Sequence, residues 1–213
     1  MSPLLANIYL HYVLDLWFER AVRPRCKGEA KLVRFADDFV AQFSDESEAR
    51  RFAEVLPKRL AKFGLSVAEE KTRLIPFGRR YWIKGEPRPR HFDFLGLRHP
   101  LGTGRKGRMA FIRIPSPKSV TKFLAGVKEW LRKHWHDRPQ EQRQALARKL
   151  LGFYEYFSLW FAASKLRVVH RKVLKHRLWK LRRGSQTADR SWGKWMRKPW
   201  FRLPAPKLLH CGV

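Results

Sequence analysis

Lys31-Leu32-Val33-Arg34-Phe35-Ala36, then Asp37-Asp38, then Phe39-Val40-Ala41-Gln42-Phe43 is the stretch that decides how this chain is read. Two short runs rich in β-branched and aromatic residues flank two adjacent carboxylates, the pattern of two strands joined by a tight hairpin. Like charges side by side repel, and a divalent cation relieves that repulsion by taking carboxylate oxygens as hard ligands. A solvated turn is the bland alternative, since Asp is common in turns and hydrogen-bonds its own backbone. The surrounding chain decides between them. An acidic pair at a hairpin tip in an otherwise very basic protein points to phosphoryl-transfer chemistry on nucleic acid.

The basic character is extreme. Of 213 residues, 47 are Lys or Arg and 18 are Asp or Glu, a formal net charge of +29, far beyond what solubility requires. A polyanionic partner follows. Residues 1–112 carry 22 basic and 13 acidic side chains, whereas 113–213 carry 25 and 5, so the second part is the stronger nucleic-acid clamp. A hydrophobic content of 44% is compatible with real cores and excludes a disordered tail. Only Cys26 and Cys211 are present, which excludes a disulfide framework and a paired-cysteine zinc site. No apolar run is long enough to span a bilayer, and the expectation is a protein of the cytoplasm with no membrane partner.

Outward from the hairpin, Ser2-Pro3 predicts a helix start, with apolar positions Leu4, Leu5, Ile8, Tyr9, Tyr12, Val13, Leu16 and Trp17 and an end at Pro24. Ser44-Asp45-Glu46 opens a second helix through Phe52, Leu56 and Leu60, closed by Gly64 and kinked at Pro57. Residues 65–67, 72–75 and 92–97 read as short strands. From about residue 113 the chain is helical: a helix after the Ser116-Pro117 cap, another over about 140–162, and a third over about 164–183. The third carries Arg167, Arg171, Lys172, Lys175, Arg182 and Arg183 around an apolar line. The tail from Gly184 is irregular.

Several motifs together resemble the reverse transcriptases of group II introns. They are Ser2-Pro3-Leu4-Leu5-Ala6-Asn7-Ile8-Tyr9-Leu10, Phe35-Ala36-Asp37-Asp38, Gly64-Leu65-Ser66-Val67 with Lys71-Thr72, and Phe92-Asp93-Phe94-Leu95-Gly96-Leu97. Gly152-Phe153-Tyr154-Glu155-Tyr156-Phe157 resembles the hallmark of that family's thumb, the maturase X domain. The resemblance implies an α+β fold: a partial reverse-transcriptase palm over 1–112, then an all-α thumb with a basic tail over 113–213. It implies RNA-directed DNA polymerase activity and a role in intron splicing. Asp37 and Asp38 would be catalytic and bind Mg²⁺ in a two-metal site. Ser2, Pro3, Asn7, Phe35, Ala36, Lys71, Phe94, Leu95 and Gly96 would contact the template, primer or incoming dNTP, and the basic residues of the third thumb helix would hold group II intron RNA. Phe35 stands where the family often has Tyr, keeping the ring and losing the hydroxyl.

One departure matters most. The family completes its metal site with another aspartate, on a strand preceding the Ser-Pro helix, and only Met1 precedes it here. The expectation is therefore a C-terminal portion of such an enzyme, inactive in polymerisation by itself and completed by a separate N-terminal half. The alternative is a non-catalytic RNA-binding maturase fragment; a decayed, poorly folding fragment is a third reading. Asp15, Asp45 and Asp93 are the other acids near the motifs and are assigned ordinary structural roles. His134 and His136 are two apart and face different sides, against metal binding. Trp130, Trp135, Trp160 and Trp179 are read as core residues. No room is seen for an appended endonuclease.

Overall fold

A computed structural model of the chain describes residues 3–84, 90–104, 106–182, the backbone of Arg183, and 192–207. Ser2, the centre of the 79–90 loop, Arg105, the first part of the tail and His210-Cys211 lie outside the described residues. Two compact units result, Met1–Leu95 and Gly96–Val213, each with its own apolar core. Both units contain helices and strands.

In the first unit, α1 (Pro3–Leu10) starts at Pro3, whose fixed φ suits a first helical turn. The helical path continues through π-helical turns at His11–Asp15 and Phe18–Val22 and stops in a 3-10 turn around Pro24. The expected apolar stripe is only half buried. Leu4, Leu5, Ile8, Tyr9 and Tyr12 are exposed, and burial begins at Val13, Leu14 and Phe18. Periodicity identifies a helix face but not how far a partner extends along it, and here the core reaches only the later turns.

The hairpin forms as expected. β1 (Ala30–Phe35) and β2 (Asp38–Phe43) pair antiparallel from Ala30 opposite Phe43 to Phe35 opposite Asp38. Asp45 caps α2 (Glu46–Ala61) by accepting hydrogen bonds from the Ser47 and Glu48 backbone N–H groups. Phe52, Leu56 and Leu60 line its buried face, and the rings of Phe18, Phe43 and Phe52 pack with centroids 5.2 to 6.0 Å apart. Burying each such side chain stabilises the unit by roughly 1.5–3 kcal/mol. Pro57 lies inside α2, which continues through it. Gly64 takes φ 67°, and the Leu65 N–H returns to the Leu60 carbonyl, a glycine-based helix stop.

Two expected strands do not form. Residues 65–67 and 72–75 are irregular, because a strand needs a neighbour for its ladder and none pairs with them among the described residues. The third, 92–97, is cut in two: β3 (His91–Phe94) ends where Leu95 and Gly96 take φ 50° and 73° in succession. Two left-handed residues in a row reverse a chain rather than extend it.

The second unit opens with an antiparallel sheet in which β4 (Leu97–Thr103) pairs with both β5 (Met109–Phe111) and β6 (Ile114–Pro115). Gly102 packs closely against Ile112 there. A Cβ at that position would stand 2.1 Å from Ile112 Cδ1, so a larger residue would require the Ile112 side chain to move. Ser116 then caps α3 (Pro117–Lys133), with Pro117 in its first turn. The carbonyl of Gly96 accepts from the Ser116 N–H and the Ser119 hydroxyl, both at 2.9 Å, tying the start of the sheet to the start of α3. After α4 (Pro139–Phe157) and a 3-10 turn at Trp160–Ala162 comes α5 (Ala163–Arg183). The short α6 (Trp192–Arg197) and the segment to Leu203 close the core with Trp195, Phe201 and Leu203.

Candidate active site and nucleic-acid interface

The hairpin turn is two residues long, Ala36-Asp37, and Ala36 has φ 54°. A left-handed alanine carries a steric cost that surrounding contacts must offset. Arg34 provides them. Its Nη1 donates to the Ala36 carbonyl at 2.7 Å and to Asn7 Oδ1 at 3.0 Å, while Nε and Nη2 make a two-pronged pair with Asp15 at 2.8 and 2.7 Å. One guanidinium thus joins the turn to α1 and to the π-helical turn bearing Asp15. The Arg34 hydrogen bonds hold the Asp15 carboxyl below the usual range, with burial opposing, and the same contact raises Arg34.

This network fixes what is left for chemistry. Asp15 is engaged by Arg34 and Asp45 by its helix cap, whereas Asp37 and Asp38 are both exposed at the tip. Among the described residues no group of three or more His, Cys, Asp and Glu is arranged to hold a metal. Two carboxylates offer hard oxygen ligands of the kind Mg²⁺ takes, and Mg²⁺ retains waters and substrate phosphate oxygens. The donor set therefore fits the protein's partial share of a Mg²⁺ site rather than a closed cage.

The remaining residues of the first motif set are dispersed. Phe35 is 64% exposed beside the acidic pair, and Pro3 and Asn7 lie on α1, Asn7 in contact with Arg34. Lys71 is exposed in the irregular segment after α2, where its N–H closes a turn onto Ala68. Phe94, Leu95 and Gly96 stand at the end of β3 and the reversal after it. Arg34 and Asp15 escaped the sequence reading as a pair. Their only trace was a charged residue interrupting an apolar strand just before the turn.

In the second unit the basic residues of α5 divide by position. Arg167, Arg171, Lys172 and Lys175 are exposed, while Leu166, Val169, Val173 and Leu174 are buried opposite them. Arg182 is half-buried, and the Arg183 side chain lies outside the described residues. The Gly152–Phe157 motif supplies core instead: Phe153, Tyr154 and Phe157 are buried, and the Tyr154 hydroxyl bonds His170 Nδ1 at 3.0 Å. Burial raises the Tyr154 phenol and lowers His170, so that contact is between neutral groups at pH 7.

Two features of this unit differ from expectation. Trp135, Trp160 and Trp179, in a turn, a 3-10 turn and α5 respectively, are 49%, 42% and 48% exposed rather than core. Arg177 is fully buried in the line of Val173 and Leu178, a place the spacing assigns to an apolar residue. Its Nη1 donates to the Phe201 carbonyl at 2.9 Å and Nη2 to the Pro139 carbonyl at 2.7 Å. Burial, and secondarily Arg143, pushes its pKa down to about 10, which leaves it charged at pH 7.

The first unit thus carries an acidic hairpin tip braced by one arginine, and the second, taken by itself, carries a cationic helix face. Residues 1–99 match the family model described as reverse transcriptase (RNA-dependent DNA polymerase), and this match includes α1, the hairpin, α2 and β3. No curated protein matches the chain. Among the described residues no helix is long and apolar enough to cross a membrane.

Proposed function

We propose that this chain belongs to a group II intron-type reverse transcriptase and maturase, with the palm's acidic hairpin in the first unit and an RNA-gripping thumb in the second. The observation that carries this reading is the Asp37-Asp38 pair at the tip of a hairpin whose Ala36-Asp37 turn is braced by Arg34, within the segment that matches reverse transcriptases. Bound at this pair, Mg²⁺ would supply charge neutralisation at the reacting phosphate and lower the pKa of the primer 3′ hydroxyl. Asp37 and Asp38 would hold it, Phe35 would pack beside the primer terminus, and Arg34 braces the turn through the Ala36 carbonyl. Template, primer and dNTP are the partners of this unit, and structured intron RNA is the partner of the second, gripped by Arg167, Arg171, Lys172 and Lys175. The setting is the cytoplasm.

Two carboxylates are fewer than a two-metal site needs, so we infer that another polypeptide stretch bearing a further aspartate completes it. Primer extension on an RNA template tests this directly. The purified chain alone should give no product; adding a polypeptide with fingers and an aspartate-bearing palm strand should give Mg²⁺-dependent synthesis, and Asp37→Ala should remove it. Synthesis by the nuclease-free chain alone, or synthesis that survives Asp37→Ala, would contradict the reading. The second reading, RNA binding without catalysis, draws on the absence of a three-membered acidic cluster among the described residues. It predicts intron-RNA affinity with no synthesis under either condition.

A further inference from the structure

The start of α4 and the segment after α6 form the two walls of a pocket of about 390 Å³, lined by Gln140, Arg143 and Gln144 on one side and Pro199 and Trp200 on the other. Gln140 and Gln144 are four apart on α4, and therefore on one face, with Arg143 beside them. All three side chains are exposed. The walls are clamped together. Arg177 donates to Pro139 on one wall and to Phe201 on the other, and Arg143 Nε donates to the Arg202 carbonyl at 3.0 Å.

The clamp is an unusual use of a charge. Arg177 is 0% exposed, pairs with no carboxylate among the described residues, and its Nε has no hydrogen-bond partner. A buried charge of this kind carries a large desolvation cost, and an apolar residue would pack α5 without it. What the guanidinium adds is a fixed separation between the two walls, which pre-organises the pocket.

We propose that this pocket takes one unpaired nucleotide of RNA, with its base against Trp200, its edge met by the Gln140 and Gln144 carboxamides, and its phosphate held by Arg143. The chemistry of each wall matches one part of the ligand. Indole faces stack with any base, carboxamides pair donor and acceptor with a base edge, and guanidinium binds phosphate in two-pronged fashion. The setting favours a polyanion: residues 96–213 carry 29 basic and 5 acidic side chains. The proposal rests on the RNA-binding reading above and adds to it a site that discriminates single-stranded from paired RNA, because a paired base is stacked between its neighbours and its edge is already bonded to its partner.

The test compares binding of the full chain to a six-nucleotide oligoadenylate and to an RNA duplex at several salt concentrations. Gln140→Ala with Gln144→Ala should weaken the single strand about tenfold and leave duplex affinity, the salt slope and the melting temperature unchanged. Trp200→Leu should weaken the single strand by a similar factor, with Trp200→Phe restoring most of it. Unchanged single-strand binding in the glutamine double variant, which touches no core residue, overturns the site while leaving the RNA reading intact. Equal losses on single strand and duplex do the same, as does displacement of the oligonucleotide by a glutamate hexapeptide at equal strength. A wild-type chain that binds neither RNA overturns both.

Discussion

The two units of this protein handle charge in opposite ways. Residues 1–95 hold 18 basic and 13 acidic side chains, and the acids are used one by one: Asp15 anchors Arg34, Asp45 caps α2, Glu46 pairs with Arg50, and Asp37 and Asp38 remain at the tip. Residues 96–213 hold 29 basic and 5 acidic side chains, so most cations there have no acid to meet. In the first unit the Arg34–Asp15 pair braces the turn that carries Asp37. In the second, charge is left as a field, apart from Arg177, which is buried and used as a clamp. On the proposed function the first unit would serve local coordination and the second long-range attraction, and substitutions in the two should fail in different measurements.

The largest effect is expected at the tip. In an assembly competent for synthesis, Asp37→Ala should lower primer extension by about 10³-fold while leaving RNA affinity unaltered. Next comes the cationic face. Replacing Arg167, Arg171, Lys172 and Lys175 with Gln should reduce the slope of log affinity against log salt by about 3, with melting unchanged because these side chains are exposed.

Smaller effects fall on stability. Arg34→Ala removes charged hydrogen bonds to Asp15 and the brace on Ala36, and should cost about 2 kcal/mol, read by urea denaturation; Arg177→Met should cost a similar amount by leaving two carbonyls unmet. The smallest is a pH effect. The folded state depresses the Asp15 pKa below 3.8, so its pairing contributes fully above that value and is lost as pH falls through the lower folded value. The wild type should lose stability on acidification below about pH 4 more steeply than Asp15→Asn, which lacks this titration.

Local signals in the sequence carried much of this. The hairpin was legible because both strands are short and β-rich and meet at a two-residue turn. Asp45 and Ser116 were legible as caps because capping is a matter of residue type and one turn of helix. Contacts set by tertiary packing were not. The Arg34–Asp15 pair spans 19 residues, and Arg177 interrupts an apolar line for carbonyls 38 and 24 residues away. Strand propensity at 65–67 and 72–75 misled, since a strand exists only beside another. The tryptophans misled for the related reason that a residue in an apolar stripe is buried only if something covers it.

The division of labour between the units is tested most directly by one salt titration of RNA affinity on three full-length proteins: wild type, Asp37→Ala with Asp38→Ala, and the fourfold variant of α5. The account predicts parallel lines for the first two and a shallower line for the third. A shallower line for the aspartate variant, or an unchanged one for the α5 variant, would show that RNA is not held where the charge field places it.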